Sequence, residues 1–175
     1  MKELIVKIDN KVLYLRQNKK CNNYKFIGRP MIKLSNEAQN RLIQYGIKPS
    51  VQRIAIMHYL LSNKTHPTVD EIYLALHPFI PTLSKTTVYN TLSLFVDKGA
   101  ALCLGIELKN ARFDGDISSH GHFLCSDCGD IHDVFDISTE GLMNAVPEGF
   151  VLEDIHVYYR GRCKECQAMT CSVNN

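Results

Sequence analysis

The chain has 175 residues, of which 45% are hydrophobic, and a formal net charge of +2. That length can bury one ordinary domain or two small ones. Its apolar runs are shorter than a membrane span and no signal peptide precedes them, so we expect a cytoplasmic protein with no membrane partner. Its seven cysteines then indicate metal binding rather than disulfides, because the cytosol keeps thiols reduced.

Charge is distributed unevenly along the chain. Residues 1–30 contain eight Lys/Arg and two Asp/Glu, residues 31–98 seven and four, and residues 99–175 five and twelve. A basic front and an acidic back suit a chain that contacts phosphate with one end and binds cations with the other. Such asymmetry is also common in proteins that do neither.

Residues 1–31 differ in composition from the rest of the chain. They are rich in lysine, and the segments 4–6 and 12–15 predict short strands. We interpret residues 1–31 as a basic N-terminal extension that is either disordered or the product of an upstream start codon. The remainder divides into a winged-helix DNA-binding domain over residues 32–113 and a metal-binding domain over residues 114–175.

Four helices are predicted between residues 35 and 98. Ser35 caps the first, which ends at Gly46, and Ser50 opens the second. Thr68 and Glu71 have the spacing of a capping box in front of the third. The expected inner face of the second helix is Val51, Ile54, Met57 and Leu61. Ser84 caps the fourth helix, whose expected inner stripe is Val88, Leu92, Phe95 and Val96.

After Gly99 the apolar period changes to two, which predicts strands. The alternation runs from Leu102 to Leu108, and the segment 112–114 begins the return strand. Short helices followed by a β-hairpin are the element order of a winged helix. Further strands are predicted at residues 123–125, 131–135 and 151–159, with a helix at residues 139–145.

The outer face of the fourth helix is a candidate for reading DNA. It carries polar side chains at helical spacing, opposite the apolar stripe, and a lysine at its N-terminus that suits phosphate. The candidates are Lys85, Thr86, Tyr89, Asn90 and Ser93. An ordinary solvated helix face would look similar, but the capped helix before it and the hairpin after it favour the DNA interpretation.

Two C-x-x-C motifs predict a structural zinc site. Each places two thiolates on one tight turn, and two such turns complete a tetrahedral shell. The expected ligands are Cys125, Cys128, Cys163 and Cys166. Two unrelated pairs of buried cysteines are the alternative. Cys21, Cys103 and Cys171 lack this spacing, and we assign them no role.

A second candidate site has nitrogen and oxygen ligands. His120 and His122 alternate on one extended segment and so point the same way, with Asp114 and Asp133 nearby in sequence. Imidazole and carboxylate without thiolate suit iron, manganese or zinc. The pattern alone leaves metal ligation and an ordinary polar surface equally open, and His66 attracts no notice by itself.

Taken together, residues from about Leu34 to Cys166 resemble the ferric uptake regulator family. The matching sequence segments are residues 48–53, 66–73, 84–92, 112–114, 120–129 and the second C-x-x-C motif. The resemblance implies a homodimeric winged-helix repressor that binds DNA when a regulatory metal joins its two domains. The expected class is therefore α+β: an N-terminal winged helix followed by a small α/β dimerisation domain with a four-cysteine zinc site.

Within that family the chain is most similar to the peroxide-responsive repressors. Their regulatory site of three histidines and two aspartates matches His66, Asp114, His120, His122 and Asp133. The resemblance implies regulatory Fe(II) or Mn(II), and it implies that Fe(II) with hydrogen peroxide oxidises His66 and His120, so that metal and DNA are released. Iron-sensing members commonly have glutamate at the acidic positions.

A second histidine-rich site of the family is degraded here, since Ser119, Gly121 and Ile155 stand where ligands are common. His156 lies one position from the usual place, and its role stays open.

Physical reasoning supports the same function. A metal held by all five residues would fix one domain against the other, and so set the spacing of two recognition helices on a palindromic operator.

The nearest alternative is an iron- or zinc-sensing repressor of the same family. A metalloenzyme is a different class, but no nucleophile or H-E-x-x-H motif is present. A zinc-stapled interaction module would leave the fourth helix unexplained. We therefore expect a repressor and not an enzyme.

Overall fold

The computed structural model describes residues 3–8, 11–17, 24–25, 36–107, 110–138 and 140–171. The first three segments are strands β1 (Glu3–Ile8), β2 (Lys11–Gln17) and β3 (Tyr24–Lys25), which pair antiparallel in the order β1-β2-β3. The sequence predicted the first two strands but not the third. That residues 1–31 form an extension separate from the fold stays a prediction.

Four helices follow, with the caps that the sequence predicted. They are α1 (Asn36–Gln44), α2 (Val51–Ser62), α3 (Val69–Leu76) and α4 (Lys85–Asp97). Gly46 and Gly99 adopt positive φ after α1 and α4, a conformation that glycine takes without a Cβ penalty. Ser50 and Ser84 accept backbone N–H groups at the N-termini of α2 and α4. The predicted cap of α1, Ser35, lies outside the described residues.

The helices enclose one apolar core, and α2 lies at its centre because it contacts α1, α3 and α4. The predicted inner face of α2 was largely wrong. Val51 is 62% exposed, and Ile54 and Leu61 are only partly buried. The residues of α2 that are fully covered are Ala55, Ile56, Met57, His58 and Leu60. A helix packed against three neighbours buries a wider surface than the single stripe that its sequence period suggests.

A short hairpin closes the helical part. Strand β4 (Leu102–Leu104) pairs antiparallel with β5 (Arg112–Asp114). The strand is shorter than the alternation to Leu108 predicted, because the chain turns at residues 105–106, and residues 108–109 lie outside the described range. Leu104 packs with Leu124 and Ile131 of the three-stranded C-terminal sheet, which is called the second sheet from here on, so the hairpin joins the two halves of the molecule.

The C-terminal part is a three-stranded sheet with two helices. Strand β6 (Gly121–Cys125) lies between β7 (Ile131–Val134), which is antiparallel to it, and β8 (Tyr158–Gly161), which is parallel. Helix α5 (Glu140–Met143) is shorter than predicted, and α6 (Lys164–Cys171) was not predicted. The predicted α+β class is confirmed.

The strand predicted at residues 151–159 is mostly wrong. Only its last two residues belong to β8, and residues 151–157 have no regular structure. A strand is stabilised by a neighbour, and within the described part of the chain residues 151–156 form no ladder with another strand. Val157 makes one such contact, since its carbonyl accepts from the N–H of His122 (3.0 Å) next to the β6–β8 pairing. None of the described helices is long and apolar enough to cross a membrane.

Candidate metal centre and nucleic-acid interface

Three histidines and two aspartates meet between the helical part and the second sheet. His66 lies in the loop between α2 and α3, and Asp114 ends β5. His120 lies directly before β6, and His122 lies within β6, opposite Asp133 of β7. The backbone N–H of Phe113 donates to the carbonyl of Pro67 (3.1 Å), which holds the His66 loop against β5.

The five side chains converge through short contacts. Nε2 of His66 lies 2.7 Å from Oδ1 of Asp133 and 3.5 Å from Oδ2 of Asp114. Nε2 of His120 lies 3.1 Å from Oδ2 of Asp114 and 3.5 Å from Oδ1 of Asp133. Nε2 of His122 lies 3.2 Å from Oδ2 of Asp114. The structure thus brings together all five residues that the sequence proposed, with one donor atom from each within 4.8 Å of all the others.

This donor set fits a cation better than it fits a network of hydrogen bonds. His66 Nε2 and Asp133 Oδ1 are buried, and among the described residues neither has a hydrogen-bond partner, although they lie 2.7 Å apart. Unsatisfied buried polar atoms are rare in proteins. Nitrogen and carboxylate atoms that face a common centre are the arrangement that metal ligands adopt, and nitrogen with oxygen donors suits iron, manganese or zinc.

The electrostatics of the cluster favour charged carboxylates. Burial opposes ionisation of Asp114, but His122, His66 and the backbone N–H of Asp116 outweigh it and hold the pKa of Asp114 well below its usual range. Burial likewise opposes protonation of His66, yet Asp114 and Asp133 raise its pKa above the usual value. The cluster is therefore an anionic cage that stabilises positive charge placed inside it.

His66 has an unusual backbone conformation. Its φ is +50°, in the left-handed region that non-glycine residues seldom adopt. The residue also precedes Pro67, and a residue in that position ordinarily prefers extended backbone. Such strained conformations persist only where surrounding contacts enforce them, and they occur often at ligand sites.

Residues that the sequence did not single out orient the imidazoles. Nδ1 of His120 lies 2.9 Å from the carbonyl of Ser118, to which it can donate, and this leaves Nε2 free to act as a ligand. The ring of Phe135 stacks on that of His120 with centroids 5.2 Å apart. Neither contact produces a periodic pattern in the sequence, so sequence analysis could not detect it.

His156 does not join this cluster. Its Nε2 lies 2.9 Å from Asp154, and its ring stacks on Tyr158. Within the described part of the chain, the cluster of nitrogen and oxygen donors consists of the five residues named above, and His156 is not among them.

Four cysteines form a separate cluster at the far end of β6. Cys125 ends the strand, Cys128 follows one turn later, and Cys163 and Cys166 lie at the start of α6. Their sulfur atoms all lie within 4.8 Å of one another, and those of Cys128 and Cys163 are 3.9 Å apart. A tetrahedral zinc site with Zn–S bonds of about 2.3 Å has sulfurs roughly 3.8 Å apart.

Backbone N–H groups stabilise thiolate at Cys125, whereas burial and the neighbouring sulfurs raise the pKa of Cys128 and of Cys166. The N–H of Cys163 donates to Sγ of Cys125 (3.3 Å), and the N–H of Cys166 points to Sγ of Cys163 (3.5 Å). Backbone N–H groups of Cys128 and Cys163 lower the pKa of Cys125 to about 6. Parallel pairing of Cys125 with Gly161 places the second motif beside the first. Cys103 is exposed on β4 and is not part of this cluster.

The outer face of α4 presents the predicted polar side chains. Thr86, Tyr89 and Asn90 are exposed, whereas Ser93 is half-buried. Lys85 differs from the expectation of a freely available cation. Its Nζ forms an ion pair with Asp70 of α3 (2.9 Å) and lies 5.9 Å from the centre of the Tyr73 ring. The chain therefore offers exposed hydrogen-bonding groups along one helix face, beside a lysine that is already paired.

Comparison with known proteins assigns this arrangement to a family. Residues 44–160, more than half of the chain, match the model of the ferric uptake regulator family. The chain belongs to the ferric uptake regulator family. It is 39% identical over 130 residues to the peroxide-responsive repressor PerR of Staphylococcus aureus strain Mu50, a match that covers 72% of this chain and 86% of the relative. The corresponding protein of strain USA300 is 38% identical over the same length.

Solved structures of other ferric uptake regulators have the same fold. The regulator from Pseudomonas aeruginosa with manganese is 27% identical, with a TM-score of 0.59 over 73% of this chain and 98% of that one. The regulator from Francisella tularensis with iron is 24% identical, with the same TM-score over 70% and 96% of the two chains. At 24% identity, the likeness to the Francisella tularensis regulator shows the fold alone.

Family membership confirms the broad functional prediction. The chain is a metal-responsive transcriptional regulator of the ferric uptake regulator family and not an enzyme. Regulators of this family are dimeric DNA-binding proteins. The predicted cofactors, structural zinc and a regulatory iron or manganese ion, agree with this membership and with the two clusters of potential ligands.

Proposed function

We propose that this protein is a peroxide-sensing repressor that acts in the cytoplasm, binds a palindromic operator as a homodimer and releases it when ligand histidines are oxidised. The observation that carries the proposal is the set of three histidines with two aspartates, which converges between the helical part and the second sheet. The named relatives with which the chain is 38–39% identical are peroxide-responsive repressors.

The four thiolates are proposed to hold structural zinc. Their ligand type, their spacing and the backbone N–H groups directed at Cys125 all favour a closed tetrahedral site. Zinc there would fasten α6 to the end of β6. The ligands are Cys125, Cys128, Cys163 and Cys166.

The regulatory ion is proposed to be Fe(II) or Mn(II), held by His66, Asp114, His120, His122 and Asp133. When bound, a ferrous ion supplies redox activation of hydrogen peroxide that a manganous ion does not supply. The chain orients its own donors. Ser118 fixes His120 with Nε2 directed inward, and the N–H of Asp116 holds Asp114 through Oδ1 (2.8 Å), which leaves Oδ2 for the site.

His66 and His120 are the proposed targets of oxidation. Each has its Nε2 within 3.5 Å of both carboxylates, whereas the close contact of His122 is with Asp114 (3.2 Å). In the net reaction one oxygen of hydrogen peroxide replaces the hydrogen of an imidazole C–H bond, and the other leaves as water. The imidazole loses the two electrons that peroxide gains. An oxidised imidazole is a poorer ligand, so the His66 loop is freed from Asp133.

DNA is proposed to lie against α4. The groups that would reach bases or phosphates are Lys85, Thr86, Tyr89, Asn90 and Ser93. Because His66 directly precedes α3, and α3 packs on α4, the position of His66 relative to the second sheet sets where each protomer presents α4. In a dimer that position determines half-site spacing, which is what a palindromic operator measures.

The decisive experiment compares Fe(II)- and Mn(II)-loaded protein exposed to micromolar hydrogen peroxide. The probe is a duplex selected from a random-sequence library by the Mn(II)-loaded protein, hereafter the selected duplex. We expect the iron form to lose the duplex and to gain one oxygen on His66 or His120, detected by peptide mass spectrometry. The manganese form should keep both its affinity and its mass. An iron form that still binds DNA and has no oxidised histidine would instead support an iron- or zinc-sensing repressor.

A further inference from the structure

Arg112 lies in a partly buried position between the five-residue cluster and helix α3. It is on β5, two residues before Asp114, and its side chain is 17% exposed. Its Nε donates to Oε2 of Glu107 (3.1 Å), while its Nη1 donates to Oε2 of Glu71 (3.3 Å) and to the carbonyl oxygen of His66 (3.4 Å). One guanidinium therefore contacts three separate segments of the chain.

The contact with Glu71 reaches the N-terminus of α3. The same Oε2 atom accepts from the backbone N–H (2.7 Å) and the hydroxyl (3.0 Å) of Thr68, which completes the capping box. Helix α3 in turn packs on α4, and its Asp70 pairs with Lys85. A chain of contacts therefore connects Arg112 to the first turn of α3 and, through it, to α4.

The contact with His66 reaches a ligand in a strained backbone conformation. His66 has a positive φ and its imidazole lies against Asp133, and Arg112 binds the carbonyl of that same residue. The neighbouring bond from Phe113 N–H to the Pro67 carbonyl fixes the next peptide. These two bonds join β5 to the loop at consecutive residues, which is how such a conformation is enforced.

We propose that Arg112 is a positioning residue that couples occupancy of the metal site to the placement of α3 and α4. The proposal rests on the function proposed above. Arginine suits this task because its planar group presents several donors in fixed directions, whereas lysine offers one compact charge on a flexible stem. Two glutamates and a carbonyl oxygen surround the guanidinium, so a neutral replacement leaves two carboxylates without their shared cation.

The test compares Arg112→Gln and Arg112→Lys with the parent protein. Arg162→Gln is the matched control, because Arg162 forms a single exposed ion pair with Asp127 (3.1 Å). Zinc content is measured in every variant. Mn(II) affinity is measured by titration, and Co(II) absorption serves as a spectroscopic probe of the ligands. Affinity for the selected duplex is measured without metal and at saturating Mn(II).

For Arg112→Gln we expect Mn(II) affinity to fall roughly ten- to hundred-fold, the usual effect of losing a residue that supports a ligand. The Co(II) spectrum should change. At saturating Mn(II) the variant should gain less affinity for the duplex than the parent gains. Arg112→Lys should be intermediate in all three measurements, and Arg162→Gln should match the parent.

Two results would overturn the proposal. The first leaves the proposed function standing, and the second overturns the proposed function as well. If Arg112→Gln, once saturated with Mn(II), gains as much DNA affinity as the parent, the coupling role is wrong and the proposed function stands. A parent whose DNA affinity does not respond to the metal overturns both. A role in stability alone would lower the folded fraction but leave Mn(II) affinity, Co(II) spectrum and metal-dependent gain of the folded molecules at parental values.

Discussion

Nε2 of His66 lies 2.7 Å from Oδ1 of Asp133, and within the described part of the chain neither atom has a hydrogen-bond partner. His66 precedes α3 in the helical part, whereas Asp133 lies on β7 of the second sheet. The two atoms therefore mark where an ion would tie the halves together. Loss of that tie is the event to which we attribute release of DNA.

Replacing Cys125 with serine should remove zinc and unfold the second sheet. In zinc-finger peptides, structural zinc contributes about 10–16 kcal/mol, so loss of one thiolate removes much of the folding free energy here. Metal analysis and thermal unfolding test this. Cys103→Ser is the control, since Cys103 is exposed on β4 and should keep zinc at the parental level. Full zinc content in the Cys125 variant would show that the assignment is wrong.

Removing the side chains of Tyr89 or Asn90 should weaken binding of the selected duplex. Both residues are exposed on α4, and loss of a specific base contact typically costs about 1–3 kcal/mol. Fluorescence anisotropy at fixed salt measures the change. Asn40→Ala on α1 is the matched control, because it removes an exposed amide from another helix. If both α4 variants bind like the parent, a different element reads the DNA.

The substitution Asp133→Glu should retain metal-dependent DNA binding but blunt the response to peroxide. A longer side chain can bring both carboxylate oxygens to the ion and so fill the position that peroxide needs. The peroxide concentration that releases half of the iron-loaded protein should rise about ten-fold or more, because an oxidation slowed about ten-fold corresponds to a barrier roughly 1.4 kcal/mol higher. Glu140→Asp on α5 is a control of opposite sense, because Glu140 is exposed and is not part of the cluster. A parental dose response in the Asp133 variant contradicts the prediction.

Adding a methyl group at Gly115 should disturb the metal site from outside it. A Cβ there would lie 3.0 Å from the backbone carbon and 3.1 Å from the carbonyl oxygen of Leu60, and Arg41 binds the carbonyl of Gly115 (3.3 Å). Because backbone cannot move aside cheaply, we expect Gly115→Ala to cost about 1–3 kcal/mol in stability and to lower Mn(II) affinity.

Thermal unfolding and Mn(II) titration measure both effects at Gly115. The control is Gly105→Ala, where an added Cβ meets nothing within 4 Å. Equal stability of the two alanine variants would show that the contact with Leu60 yields more easily than expected.

Removing residues 1–30 should leave zinc content, dimerisation and operator choice unchanged. The eight Lys/Arg and two Asp/Glu of this segment should add nonspecific affinity, which disappears with the segment and makes the dependence of DNA binding on salt less steep. Analytical ultracentrifugation, and a second selection from the random library, test the rest. A truncated protein that fails to dimerise, or selects another sequence, would place the segment within the functional fold.

Much of the molecule follows from local chemistry that the sequence states directly. Ser50, Ser84 and the Thr68–Glu71 pair cap their helices through hydrogen bonds between residues three apart. Such local bonds can be predicted from the sequence alone. The paired C-x-x-C motifs similarly indicated a tetrahedral thiolate site before any distance was known. His120 and His122 pointed the same way through strand alternation alone. The resemblance to a family, rather than any local signal, added His66 to them.

Tertiary structure decided what depends on partners distant in the chain. The broad buried face of α2 follows from packing against three helices, and no period within α2 encodes it. The sequence predicted a strand over residues 151–159, but a strand needs a neighbour as well as favourable residues, and residues 151–156 form no ladder with another described strand. The positive φ of His66 and the three contacts of Arg112 exist because β5, the His66 loop and α3 meet in space. The sequence specified which groups were available, and the fold decided which of them came within bonding distance.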